Sequence, residues 1–415
     1  MEAFELKEIE ERVILVGVQE NNGEDTEESL QELAELVRTA GAEAVGSLIQ
    51  NREAIHPGTY IGKGKIEELR AMADMLDATG IVCDDELSPA QLRNLEQELD
   101  MKVMDRTLII LDIFAARAST NEGKIQVELA QLKYRQARLV GLRDSLSRLG
   151  GGIGTRGPGE KKLEMDRRLI KDRIAQLNRE LADVKRHREV TRAKRSKNKA
   201  PVAAIVGYTN AGKSTLLNTL TGAGVLQEDK LFATLDPTTR TLEMEGGAQI
   251  LLTDTVGFIR KLPHHLIEAF RSTLEEAKYA DIILHVVDAS NPQMEKQMHV
   301  VYETLANLGV KDKTMVTLFN KQDRVVEKEN LRDFKADYCL KISAKTGEGL
   351  EDMKSLLEKL LRERSVLIER TYPYGQAGLI QLIRKHGQLL EEEYRPEGIY
   401  VKAYVPMEIY GNVAL

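Results

Sequence analysis

The sequence predicts a multidomain α/β protein. It comprises an N-terminal α/β domain with a long antiparallel helical hairpin, a phosphate-loop nucleotide domain with a mostly parallel sheet flanked by helices, and a small C-terminal α+β domain. Three observations carry this. Short apolar runs alternate with helical patterns over residues 11–118, as a parallel sheet with crossover helices requires. A G-x-x-x-x-G-K-S stretch, Gly207-Tyr208-Thr209-Asn210-Ala211-Gly212-Lys213-Ser214, sits between an apolar run at 202–206 and a helical run at 214–220. Two basic helical stretches flank a ten-residue tip, 150–159, that holds six glycines. The domain boundaries that follow are 1–118, 119–195, 200–364 and 365–415, with a polar, basic linker at 185–199.

In the first domain, strands are expected at 12–18, 44–49, 80–83 and 102–104, and helices at 28–39, 65–76, 89–99 and 107–118. Ser88-Pro89 supplies a cap and a first-turn proline for the third helix. The stretch Ile61-Gly62-Lys63-Gly64-Lys65-Ile66-Glu67 begins like a dinucleotide loop but has Glu67 where a third glycine is required, so its glycines read as a tight turn into a helix. A second anion contact through Lys63 and Lys65 is the alternative.

The apolar positions Ile125, Leu129, Leu132, Leu139, Leu142, Leu146 and Leu149 recur at helical spacing, and the pattern resumes at Leu163, Ile170, Ile174, Leu177, Leu181 and Val184. Residues 115–200 carry 23 Lys and Arg against 10 Asp and Glu, a local +13 in a chain of net −7. One basic segment in an acidic protein points to a polyanion met at one place. Basic helices bearing Arg135, Arg138, Arg143, Arg148, Lys161, Lys162, Arg167 and Arg168 beside a conformable tip suit structured RNA, read by phosphate and shape; a solvated charged hairpin is the bland alternative.

The rest of the composition bounds the setting. The 415 residues are 42% hydrophobic, enough for several cores. Two cysteines, Cys83 and Cys339, without ligand spacing fit a reducing compartment and argue against a disulfide framework or structural zinc. The acidic N-terminus has no apolar h-region, and no apolar run reaches the roughly 18 residues of a membrane span. A cytoplasmic protein is expected.

The phosphate loop is the chemical centre. Its glycines let backbone N–H groups curl round an anion, the following helix N-terminus adds partial positive charge, and Lys213 neutralises the outer phosphates. Ser214 offers a hydroxyl to Mg²⁺, with Thr215 beside it in the first helical turn. A hairpin, 242–245 turning at Gly246-Gly247 into 250–252, delivers Asp254-Thr255-Val256-Gly257 forty residues after Ser214. Asp254 can hold Mg²⁺, directly or through water, and the Gly257 N–H can detect a terminal phosphate. Phe258 stands where many GTPases place a water-orienting glutamine, so slow intrinsic turnover is expected.

Sixty-six residues beyond Asp254, an apolar strand ends at Asn320-Lys321-Gln322-Asp323. A carboxylate at Asp323 accepts from guanine N1–H and its 2-amino group, which adenine cannot match; Asn320 and the Lys321 stem brace the base. Ser343-Ala344-Lys345 then supplies the Ala344 N–H for guanine O6. Each motif falls at the C-terminal end of a strand, where open α/β sheets bind ligands. The first switch lies in Phe232-Ala233-Thr234-Leu235-Asp236-Pro237-Thr238-Thr239-Arg240. Periodicity does not choose a Mg²⁺ ligand among Thr234, Thr238, Thr239 and Thr241.

The chain resembles the HflX family of translational GTPases over nearly its whole length. The resemblance rests on Gly58-Thr59-Tyr60-Ile61-Gly62-Lys63-Gly64-Lys65, the glycine tip from Gly150 to Glu160, the switch from Phe232 to Arg240, and Asp254-Thr255-Val256-Gly257-Phe258-Ile259. The C-terminal domain matches only in position and size. The resemblance implies a protein that binds the large ribosomal subunit, hydrolyses GTP and splits stalled or idle ribosomes, its hairpin tip directed at ribosomal RNA. It assigns Thr234 as the switch ligand to Mg²⁺ beside Ser214 and Asp254; with Lys213 and Gly257, read from their motifs, Thr234 makes up the expected catalytic set. The expected protein is thus a Mg²⁺-dependent, ribosome-stimulated GTPase, monomeric when free. Two alternatives stand beside it: an RNA-binding module in which GTP is a sensing or structural ligand with little turnover, and an ATP-dependent RNA remodeller, which Asp323 disfavours.

Overall fold

Strands of a parallel sheet covered by helices bury both faces, so their sequences run continuously apolar. β1 (Arg12–Gln19) and β3 (Gly80–Cys83) have this character and lie at the centre of the first sheet. The structure, a computed structural model, describes residues 11–21, 25–149, 158–197, 201–222, 231–232, 235, 238–244, 249–262, 266, 276–325, 331–363 and 365–414, with backbone only at 140–149, 158–163, 185, 187–197 and 408. The chain forms two units: residues 1–183 with 261–270, and residues 184–260 with 271–415.

In the first unit, β1, α1 (Thr26–Thr39), β2 (Glu43–Asn51), α2 (Lys63–Met75), β3, α3 (Pro89–Leu99), β4 (Lys102–Asp105) and α4 (Arg106–Arg117) alternate. The sheet has order β2-β1-β3-β4 and every pair is parallel. Local chemistry starts the helices. Asp25 accepts from Glu27 N and Glu28 N at α1, Ser88 and Gln91 form a reciprocal capping box at α3, and Asp105 accepts from Leu108 N at α4. Gly62 opens α2, and Lys65 pairs with Glu68 one turn on. The core is built on Ile14, Val16, Leu69, Ile81 and Leu95.

Arg106 is buried with Asp84 at 2.8 Å and with Glu32. Lys261 joins this cluster within the same unit, its Nζ 2.5 Å from Asp84 and 2.8 Å from Asp85. Burial alone raises the Asp84 carboxyl, but the adjoining Arg106 and Lys261 outweigh it and hold it below the usual range.

Beyond this layer run α5 (Asn121–Leu149), which lies against α3 and α4, and α6 (Pro158–Lys197). Arg173 on α6 grips the Glu128 carboxylate of α5 with two hydrogen bonds, and Leu177 and Leu181 are buried. The basic run 185–199, read above as a linker, is helical as far as Lys197. Lysine and arginine are good helix formers, and their charge masked that propensity. The tip residues 150–157 lie outside the described set; Pro158 and Gly159 open α6.

The second unit holds β5 (Val202–Gly207), α7 (Lys213–Thr221), β6 (Thr238–Glu243), β7 (Gln249–Asp254), α8 (Glu276–Tyr279), β8 (Ile282–Asp288), α9 (Met294–Asn307), β9 (Thr314–Asn320), β10 (Tyr338–Lys341) and α10 (Leu350–Glu363). Its sheet order is β10-β9-β8-β5-β7-β6, parallel except for β6. The β6–β7 pairing sets Leu242 opposite Ile250, as the expected hairpin requires. β11 (Ser365–Tyr372), α11 (Ala377–His386), β12 (Gln388–Arg395), β13 (Gly398–Pro406) and α12 (Met407–Val413) then form an antiparallel sheet, order β11-β13-β12, with a core of its own around Ile383, Val401 and Val405.

Candidate nucleotide site

β5 is wholly apolar and enters the interior of the sheet, so its C-terminal end carries the loop 207–214 to the ligand-binding edge. Two glycines are sterically required there. A Cβ at Gly207 would run into the Val286 carbonyl oxygen, and Gly212, at φ +98°, has the Asn320 amide where a Cβ would go. Asn210 takes a left-handed conformation at φ +59°. Ala211 is buried, and α7 begins at Lys213 with Ser214 and Thr215 in its first turn. The Lys213 amine donates to the Tyr208 carbonyl at 2.7 Å, which keeps it over the loop. Burial pushes this amine down to about 8; the nearby Asp254 carboxylate acts in the opposite sense.

Ser214 Oγ donates to Asp254 Oδ2 at 2.9 Å, and Asp254 is fully buried at the end of β7. A hydroxyl beside a carboxylate is a pair of hard oxygen donors, which fits Mg²⁺. Thr255 Oγ1 donates to the Ile205 carbonyl at 2.8 Å and Val256 is buried, so the segment is fastened to β5. Gly257 then passes over the loop: a Cβ there would lie 2.8 Å from Thr209 Cα and 3.0 Å from Lys213 Nζ. Phe258 N donates to the Gly207 carbonyl at 3.1 Å and Thr209 N donates to the Phe258 carbonyl at 2.8 Å. Phe258 is buried and orients no water. From the first switch, Phe232 N donates to Thr209 Oγ1 at 2.9 Å, and Phe232 and Leu235 are buried. Ala233, Thr234 and Asp236 lie outside the described residues.

Asn320, expected to brace a base, is a structural clamp. It is 2% exposed, donates from Nδ2 to the Ala211 carbonyl and accepts on Oδ1 from Ala344 N, both at 2.8 Å. It therefore clamps the phosphate loop to the Ser343-Ala344-Lys345 loop. Lys321, in a left-handed conformation at φ +63°, pairs with Asp288 at 2.7 Å, and Gln322 donates to the Phe319 carbonyl at 3.2 Å. Asp323 is exposed and Ser343 Oγ donates to its Oδ1 at 2.6 Å, a bond that lowers its pKa. Lys345 is exposed beside buried Ser343 and Ala344. The structure thus brings the loop, Asp254, Gly257, Asn320 and the 343–345 loop together at one sheet edge.

Sequence reasoning missed two contacts, the Asn320 clamp and a bond from Arg260 N to the Tyr208 hydroxyl at 2.8 Å. Both join positions far apart in the chain, by 109 and 52 residues, so neither has a local signal in the sequence.

Three family models match the chain in succession: a GTP-binding GTPase N-terminal region at 27–115, a GTP-binding GTPase middle region at 117–195 and a 50S ribosome-binding GTPase at 202–321. A protein named GTPase HflX from Lacrimispora saccharolytica is 71% identical over 413 residues, covering 100% of this chain and 98% of its own. One of the same name from Escherichia coli is 40% identical, with 98% and 96% covered. Among solved structures, a GTP-binding protein from the archaeon Sulfolobus solfataricus in complex with GDP is 25% identical, covers 84% of this chain and 98% of its own, and gives a TM-score of 0.46. Among the described residues, no helix is long and apolar enough to cross a membrane. The chain belongs to the HflX family, and it is a GTP hydrolase of the phosphate-loop class.

Proposed function

We propose that this GTPase acts in the cytoplasm on the large ribosomal subunit and the 70S ribosome, and couples GTP binding and hydrolysis to ribosome splitting or rescue. The observation that carries the reading is the basic hairpin of α5 and α6, a local +13 around a six-glycine tip, in the same chain as a 50S ribosome-binding GTPase model. Such a hairpin suits ribosomal RNA through phosphate contacts. The free protein is monomeric in this reading.

At the nucleotide site, the loop N–H groups and Lys213 hold the phosphates, Asp323 selects guanine, and Gly257 N–H reads the terminal phosphate; the Ala344 N–H, expected at guanine O6, is here held by Asn320 Oδ1 and serves to keep the 343–345 loop beside the base. Ser214, Asp254 and Thr234 would hold Mg²⁺, which when bound neutralises charge on the phosphate oxygens. Because Phe258 is buried and has no hydrogen-bonding side chain, the position that carries a water-orienting glutamine in many GTPases supplies no such group here. Ribosome contact then supplies the missing pre-organisation, and GTP tightens subunit binding by the factor that the subunit tightens GTP.

The test is a sedimentation profile of ribosomes with the protein and GTP or a non-hydrolysable analogue, beside multiple-turnover phosphate release with and without subunits. Splitting and stimulated release are expected. Replacing residues 151–159 with a short turn should leave GTP binding intact and remove most of the stimulation. Binding to RNA with no stimulated release would instead favour GTP as a sensing ligand with little turnover.

A further inference from the structure

Tyr208 follows the first glycine of the phosphate loop, and its side chain is 4% exposed. Its hydroxyl accepts from Arg260 N at 2.8 Å, two residues beyond Phe258. Its backbone forms a parallel bridge with Phe258, made by Phe258 N donating to Gly207 O and Thr209 N donating to Phe258 O. Three bonds therefore join the segment after Asp254 to the loop at and around one residue. Between the bridge and Asp254 lies Gly257, close enough to Lys213 that a Cβ would be 3.0 Å from Nζ.

We propose that Tyr208 is a positioning residue for triphosphate recognition: its hydroxyl and its backbone bridge hold the 257–260 segment against the phosphate loop, so that Gly257 stands within reach of a terminal phosphate held by Lys213. The inference rests on reading Gly257 N–H as the terminal-phosphate detector. A diphosphate has no group at that position, so the contact discriminates between the substrate and product nucleotides. Two features fit this division of labour. Gly257 cannot carry a side chain, because a Cβ 2.8 Å from the Thr209 backbone would lift the segment off the loop. And Phe258, which cannot orient water, serves the bridge through its backbone while its ring is buried.

The test uses the full chain with Tyr208→Phe, which keeps the ring and removes the hydroxyl that accepts from Arg260 N. Dissociation constants for GDP and for a non-hydrolysable GTP analogue are measured by fluorescence, and amide hydrogen exchange is followed at Arg260. Loss of one hydrogen bond corresponds to roughly three- to tenfold. The GTP analogue should weaken by about that factor while GDP changes less than twofold, and the Arg260 amide should exchange faster. Unchanged exchange at Arg260 would overturn the contact itself. Faster exchange with equal losses for both nucleotides would overturn Gly257 as the detector that Tyr208 positions. If Tyr208→Phe folds poorly, Arg260→Pro, which removes the N–H at the other end of the same bond, provides the second arm, with the same selective loss of the GTP analogue expected and equal losses again refuting the idea.

Discussion

Asn320→Ala should cost nucleotide affinity far more than a single lost base contact would. The side chain is buried and makes two bonds of 2.8 Å, to the Ala211 carbonyl of the phosphate loop and from Ala344 N of the 343–345 loop. Truncation leaves one backbone acceptor and one backbone donor without these partners, and each such buried group costs about 1–3 kcal/mol, or about 2–6 kcal/mol together. Gly212 packs against the same amide, so the loop also loses its backing. The core of β8, β9 and β10 does not depend on that amide, so the cost should fall mainly on the order of the two loops. Even the low end of the range is about thirtyfold in affinity. Titration of the full chain with a fluorescent GDP, beside urea unfolding of the same preparation, separates the two effects. Asn320→Asp keeps the acceptor for Ala344 N but sets a carboxylate oxygen against the Ala211 carbonyl, and should bind no better. Binding of GDP by Asn320→Ala within threefold of the parent, at parental stability, would refute the clamp.

Asp323→Asn turns one acceptor into a donor, so GTP should bind at least tenfold more weakly while XTP gains, since mispaired polar groups cost about 1–3 kcal/mol; equal competition by ATP and GTP in the parent protein would sink the assignment. His285 is buried edge-on to Tyr302, and burial pushes its pKa down to about 4. The unfolded chain takes up this proton from about pH 6.5 downward and the folded chain only near pH 4, so stability is full above 6.5 and falls through that window, by about 2 kcal/mol at pH 5. His285→Phe should flatten that part of the pH dependence of the urea midpoint, and an unaltered slope would show that His285 is not its source. At Ser88, replacement by alanine removes the capping box of α3 and should cost about 1 kcal/mol of stability; a change under 0.3 kcal/mol, roughly the scatter of such measurements, would assign the helix start to Pro89 instead.

The local features of the fold were legible in the order of residues. Each strand of the first sheet, the Ser88-Pro89 start of α3, and the guanine-nucleotide motifs at the ends of β5, β7 and β9 follow from periodicity, turn chemistry and short motif spacing. The bonds between distant positions became visible only in the folded chain. Asn320 meets Ala211 across 109 residues, Arg260 meets Tyr208 across 52, and Lys261 meets Asp84 across 177. None of these has a local signature, because a side-chain amide, a phenol or a lysine amine looks the same in sequence whether it faces water or a buried partner. The basic run 185–199 shows the complementary case: its charge and polarity suggested a linker, but lysine and arginine also sustain a helix, and the run is helical as far as Lys197.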